Sequence, residues 1–290
     1  MNRSDAVHFA STESGREFER RYDRVLGRWP GPVERVDVGT GFGTTRVNVC
    51  GPEDAPPVIL LPSGRATSTV WFAVAAELCG DHRVFAVDLP GDVGLGVVTE
   101  PLRSRDDLMD WISAVVHGLE LETYGVVGHS YGAMVALAHA VRRPDGLDRL
   151  VLLDPNSCFA GMSPQYLARA VPLLVRPTGD RQRRLIGWES AGATVDADWL
   201  DLVAFGAERF PAHRPVVPRR PWPQDLQELR AEVTVVLAER SRVHDAARIG
   251  ERARSSMPRA TIRVIPGESH YTLPMSSSPE LGAALRTAIG

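Results

Sequence analysis

Six short apolar runs constrain this chain more than any other feature. They are PVILLP (57–62), RVFAVDLPG (83–91), YGVVGHS (124–130), RLVLLDP (149–155), VTVVLA (233–238) and TIRVIPG (261–267). Nearly continuous Val, Ile and Leu is the pattern of strands buried on both faces, and hence of a parallel sheet. Helical segments lie between them. Residues 105–119 put Leu108, Trp111, Ile112, Val115 and Leu119 on one stripe, and residues 131–141 form a helix of small residues. SPELGAALRTAI makes a last helix with a Ser-Pro start. Upstream, a charged segment (15–29) carries Phe18, Tyr22, Leu26 and Trp29 near helical spacing. VERVDV (33–38) and TTRVNVCG (44–51) then suit an edge hairpin. The expected fold is α/β: a mostly parallel, doubly wound sheet of about eight strands.

One interval breaks the alternation. Between RLVLLD and VTVVLA lie about 78 residues (155–232) without a strand-like run, rich in Trp and Phe. A structureless loop of that length is implausible in a compact domain. The expected organisation is a core in two parts, 1–154 and 232–290, with a helical cap inserted at 155–231. The cap would sit above the strand C-termini, and its Trp188 and Trp199 are candidate substrate-binding residues.

Composition narrows the function classes. With 24% charged residues, a net charge of −3 and pI near 6.3, the chain is not a general nucleic-acid or membrane-surface binder. All 33 basic residues are arginine, which excludes mechanisms that need a lysine Schiff base or a P-loop lysine. Cys50, Cys79 and Cys158 show neither metal spacing nor an even-numbered framework. The N-terminal stretch lacks a signal-type apolar core, and no run approaches the roughly 18–20 apolar residues of a membrane span. A cytoplasmic protein with reduced thiols, without metal or cofactor, is expected.

VVGHSYGAMVAL is the sharpest local signal. Gly128-His129-Ser130-Tyr131-Gly132 matches G-x-S-x-G, with an apolar strand before it and a small-residue helix after it. A serine at the apex of so tight a turn projects its hydroxyl into a cleft, and only small residues fit two positions either side. Ser130 is the candidate nucleophile, with Gly128 and Gly132 as the elbow glycines. A serine needs a base, and His270 follows the last strand in a loop that can cross the strand ends. The other seven histidines have weaker placement. His129 is the variable elbow residue, His139 lies within a helix and His244 near a helix start; His8, His82, His117 and His213 read as surface or capping residues. A tetrahedral intermediate needs an oxyanion hole. Its donors should be the N–H of Tyr131 and the N–H of Arg65, with Gly64 letting the loop turn close to substrate. The Arg65 side chain either points to solvent or meets a substrate carboxylate.

Together these features resemble the α/β-hydrolase superfamily over essentially the whole chain: the elbow at 128–132, DLPGDVG after the RVFAV strand, and a histidine after the last strand. The pattern running from the N-terminal segment through TGFGTTRVNVCGPEDAPPVILL to VWF also resembles the carboxylesterase subgroup typified by Bacillus esterases. That resemblance implies cleavage of carboxylic esters by a Ser–His–acid triad without a cofactor. Two departures stand out. The family's first loop usually begins His-Gly, and here it is Ser63-Gly64. The family usually carries its acid in a G-E-x-D loop, and here that loop is Ala238-Glu239-Arg240-Ser241.

Three carboxylates could replace the missing acid. Asp154 ends the strand beside the nucleophile strand, where pancreatic-type lipases and haloalkane dehalogenases carry theirs. Asp245 lies four residues beyond Ser241 and suits a helix cap. Glu239 is nearer in sequence but usually points away in the family. Ser241 is then a hydrogen-bonding neighbour of the triad. Three functions remain open: an esterase acting on a small-molecule ester, thioester or lactone with apolar bulk; an acyltransferase, thioesterase or cyclase of secondary metabolism using the same acyl-enzyme; and a non-catalytic binding protein on a hydrolase scaffold.

Overall fold

A computed structural model describes residues 9–211 and 215–290. The chain enters through helix α1 (Glu13–Leu26) and the antiparallel pair β1 (Glu34–Thr40) and β2 (Gly43–Cys50). Alternation follows: β3 (Pro57–Leu61), α2 (Phe72–Leu78), β4 (Arg83–Val87), the two-residue β5 (Val97–Val98), α3 (Arg105–Gly118), β6 (Tyr124–His129), α4 (Tyr131–Val141) and β7 (Leu147–Leu153). Four helices come next without an intervening strand among the described residues: α5 (Pro164–Val175), α6 (Gly179–Glu189), α7 (Ala197–Arg209) and α8 (Pro223–Gln227). The chain closes with β8 (Glu232–Ala238), α9 (Ala246–Ser256), β9 (Thr261–Ile265) and α10 (Pro279–Ile289).

The sheet has nine strands in the order β1-β2-β4-β3-β6-β7-β8-β9, with β5 paired to β2. The short β5, too brief to show in the sequence, makes nine of the expected eight. From β4 to β9 every neighbour is parallel. Strand β6 is buried at every residue. Its Val126 joins the core under α3, α4 and α9, and Val127 joins the opposite core under α2 and α10. This two-sided burial is why the strand sequences lack a polar alternation.

Order along the sheet places the crevice. From β3 the chain first steps outward to β4, then returns to the other side of β3 as β6. Loops leaving the C-terminal ends of β3 and β6 therefore part at a topological switch point, where open α/β sheets bind ligands. Those loops carry Gly64-Arg65 and Ser130. Helix α1 leans on α7, where Arg21 pairs with Asp201, so the inserted helices are held from the side as well as from below.

Two sequence expectations change. Cys50 ends β2 and Cys79 caps α2, and they are disulfide-bonded with Cα atoms 5.8 Å apart. A strand end and a helix end 29 residues apart meet only through the fold, so spacing alone suggested reduced thiols. His82 is buried, with Nδ1 on Asp81, and is not a surface residue. His8 and His213 lie outside the described residues.

Candidate active site

Ser130 follows β6 directly and holds φ 55° and ψ −112°. A residue with a Cβ is strained there by about 1–3 kcal/mol, and such strain gathers at functional sites. The two elbow glycines make the turn possible. A Cβ on Gly132 would stand 2.1 Å from the Leu61 carbonyl oxygen, and one on Gly128 would stand 2.5 Å from the Gly132 carbonyl oxygen. Strand β3 and helix α4 nearly touch at this point, which fixes where the Ser130 hydroxyl emerges.

A continuous hydrogen-bonded line runs from that hydroxyl. Ser130 Oγ lies 2.9 Å from His270 Nε2, and His270 Nδ1 lies 2.6 Å from Asp154 Oδ2. All three residues are buried, at 6%, 2% and 0% exposure, so the line is shielded from competing water. Asp154 ends β7, next to β6, and also sits at positive φ (39°). Its N–H donates to the Val236 carbonyl at 2.7 Å, which aims the carboxylate across the ends of β8 and β9. Of the three carboxylates considered, Asp154 alone reaches His270. Asp245 caps α9 by accepting from the Arg248 N–H, and exposed Glu239 accepts from the Gly267 N–H.

Asp154 carries four donors. Oδ2 takes His270 Nδ1–H and, at 2.8 Å, the Ser241 hydroxyl. Oδ1 takes the Ala238 N–H at 3.1 Å and His244 Nε2–H at 2.9 Å. Burial pushes this carboxyl up, yet the two histidines and their hydrogen bonds hold it well below the ordinary carboxylate range. His244 is itself buried; desolvation pulls it down, but Asp154 outweighs that and raises it above the usual histidine value. His129 packs against His270 with ring centroids 4.7 Å apart, and burial holds it well below the usual value, as a neutral ring.

The loop bearing His270 is tied down by a residue the sequence did not reveal. Glu189, fully buried at the end of α6, accepts the backbone N–H of His270 at 3.0 Å and of Tyr271 at 3.2 Å. It also accepts the Arg242 N–H at 3.1 Å. One carboxylate from the inserted helices thus clamps both the histidine loop and the loop after β8.

The oxyanion side departs from expectation. Tyr131 is the first residue of α4, directly after Ser130, so its N–H has no partner one turn back in the helix. The Arg65 N–H is engaged: it donates to Asp92 Oδ2 at 2.8 Å. Arg65, not Gly64, holds the left-handed backbone (φ 63°), and a Cβ on Gly64 would meet only ordinary contacts, the nearest Tyr131 Cβ at 3.6 Å.

Above Ser130 and His270 lies a cleft of about 390 Å³, walled by Ala170, Leu173, Leu185 and Phe210 of the inserted segment and reached by Gly64, Arg65 and Asp92. Neither Trp188 nor Trp199 lines it. Trp199 points down into the core beside Tyr271, and Trp188 is held between the guanidinium groups of Arg169 and Arg242. An aromatic's presence in an inserted segment does not say which way its helix turns.

Comparison with known proteins bears on the family and the fold. The sequence profile of the Alpha/beta hydrolase family matches residues 58–285. The Carboxylesterase YbfK of Bacillus subtilis is 28% identical over 92% of this chain and 91% of its own. Its crystal structure superposes with a TM-score of 0.85 at 24% identity, covering 95% of this chain and 97% of that one. The naproxen esterase (carboxylesterase NP) of Bacillus subtilis superposes with a TM-score of 0.86 at 23% identity, with the same coverage. These likenesses show the fold.

Proposed function

We propose that this chain, which belongs to the alpha/beta hydrolase family, is a serine hydrolase that cleaves a carboxylic ester through an acyl-enzyme on Ser130. The carrying observation is the unbroken line Ser130 Oγ–His270 Nε2 and His270 Nδ1–Asp154 Oδ2. Ser130 Oγ attacks the ester carbonyl carbon as its proton passes to His270 Nε2. Asp154, ionised, accepts from Nδ1 and stabilises the imidazolium that forms. The carbonyl oxygen, now carrying the negative charge, binds the Tyr131 N–H; Arg65 supplies a second N–H by exchanging Asp92 for the oxyanion. His270 then returns its proton to the leaving alcohol oxygen as the C–O bond breaks. Water attacks the acyl carbon, gives a proton to His270 Nε2, and the acid departs as Ser130 regains its proton. Ser130, His270 and water handle every proton and electron pair, so the scheme calls for no cofactor.

Relatives named as carboxylesterases support this choice, and nothing observed favours the acyltransferase or binding-protein alternatives. The apolar walls support an acyl or alcohol group with apolar bulk. We also propose that residues 155–231 act as a cap, since their helices wall the cleft. As to location, no helix among the described residues is long and apolar enough to cross a membrane. The Cys50–Cys79 bond is of the kind an oxidising compartment maintains.

The test is a fluorophosphonate probe with a short-chain p-nitrophenyl ester as competitor. Stoichiometric labelling of Ser130, blocked by the ester and absent in S130A, is expected. An unlabelled Ser130 beside a labelled control hydrolase would overturn the reading.

A further inference from the structure

The acid of the proposed triad serves two imidazoles. His270 takes Asp154 Oδ2, and His244 takes Oδ1 at 2.9 Å. Only His270 touches the nucleophile. The His244 and His270 rings stand 6.4 Å apart, nearly perpendicular, and both are buried. Every hydrogen-bonding site of Asp154 is therefore filled, and two of its four donors can change charge.

We propose that His244 is a positioning residue whose charge decides how much of the Asp154 charge is available to His270, so that the hydrolase is switched down by its protonation as the pH falls. The inference rests on the hydrolase reading above.

The surroundings of His244 set the balance. Asp154 faces it from the end of β7, Glu189 from the end of α6 and Asp245 from its own loop; these favour its charged form. The His270 ring stands 6.4 Å from it, with His129 packed on His270 in turn. Against protonation stand burial and the ring's other nitrogen. His244 Nδ1 is buried with no hydrogen-bond partner among the described residues. A proton placed there becomes a buried donor without an acceptor, which is costly. The opposing terms leave His244 raised above the usual histidine value.

The consequence for catalysis follows from charge. With His244 neutral, Asp154 presents a full negative charge to the His270 imidazolium. With His244 charged, the His244–Asp154 pair is neutral, and His270 must become cationic 6.4 Å from an existing cation. At an effective dielectric near 20, that repulsion slows the chemical step on the order of 10²-fold. Protonation of His244 then suppresses activity on the acid side.

The experiment is the pH dependence of kcat/KM for p-nitrophenyl butyrate with wild type, H244Q and H244F. Gln keeps an N–H where Nε2 stands but does not titrate; Phe removes the donor. On the acid limb, wild type should begin to lose activity at a higher pH than H244Q as the solution is acidified. The ratio of H244Q to wild-type activity should therefore climb as pH falls. H244F should lose about 10- to 100-fold in kcat where wild-type His244 is neutral, with KM little changed, the scale of a lost bond to a charged group, and that gap should narrow as the pH falls. In wild type, imidazole ¹⁵N spectra should show His244 gaining its proton at Nδ1 within the same limb, which holds the proposal to account even if a variant misfolds. Superimposable profiles for an active wild type and H244Q, or no titration of His244 across the limb, would overturn this inference alone. A wild type that hydrolyses no ester and leaves Ser130 unlabelled removes the hydrolase reading, and this inference with it.

Discussion

Replacing Asp154 by Asn changes one atom and should separate the acid's roles. The side chain keeps its shape, but one oxygen becomes an NH₂. Four donors meet the carboxylate: Ala238 N–H and His244 Nε2–H on Oδ1, His270 Nδ1–H and the Ser241 hydroxyl on Oδ2. The Ala238 N–H is backbone and cannot turn away, so the amide oxygen stays at the Oδ1 position. The NH₂ then faces His270 Nδ1 and Ser241. A serine hydroxyl can rotate to accept; the imidazole can accept only by moving its proton to Nε2. That tautomer presents N–H to Ser130 and cannot take its proton. Loss of the triad acid through the wrong tautomer costs about 10⁴-fold in kcat, or roughly 5.4 kcal/mol of barrier. The assay is kcat/KM for p-nitrophenyl butyrate near pH 8, with thermal melts to show that D154N is folded. D245N and E239Q, which keep an acceptor oxygen at the α9 cap and at the Gly267 contact, should stay near wild type. A D154N enzyme within tenfold of wild type, or a D245N loss of equal size, would refute the assignment of the acid.

Three further outcomes follow from the packing. G132A must push a Cβ against the Leu61 carbonyl, 2.1 Å away; it should cost at least about 3 kcal/mol, roughly 10 °C in Tm, and a melt within 2 °C of wild type would contradict the elbow geometry. E189Q leaves one of the buried N–H groups of His270, Tyr271 and Arg242 without an acceptor; it should lose about 1–3 kcal/mol of stability and lower kcat more than it raises KM. Thiol titration should find no reactive group in the native protein, since Cys158 is buried with its thiol pushed up to about 12 by desolvation. Unfolding without reductant should release one thiol and unfolding with reductant three; three without reductant would contradict the Cys50–Cys79 bond.

Much of the fold was legible because its signals are local. Continuous apolar runs announce strands buried on both faces, and the elbow encodes a strand, a turn and a helix within twelve residues. Ser130 and His270 stand out for the same reason: each follows a recognisable strand. Asp154 was legible as a strand-end acid but not separable from Asp245 and Glu239, because which carboxylate reaches His270 depends on strand order. Glu189 and His244 left no signal. Their contacts join the end of α6 and the start of α9 to the ends of β7 and β9, across 53 to 90 residues of sequence. Asp92 was hidden differently: a loop carboxylate that caps the Arg65 N–H has no pattern in sequence. Trp188 and Trp199 misled because aromatic content says nothing about the direction a side chain takes.

The most direct test of the account is to catch the acyl-enzyme. Purified protein mixed with excess p-nitrophenyl ester and quenched in acid within milliseconds should gain the mass of one acyl group. Peptide mapping should place it on Ser130, and S130A should gain nothing. An enzyme that turns over the ester with no acyl adduct on Ser130, or that acylates S130A equally, would contradict the central claim.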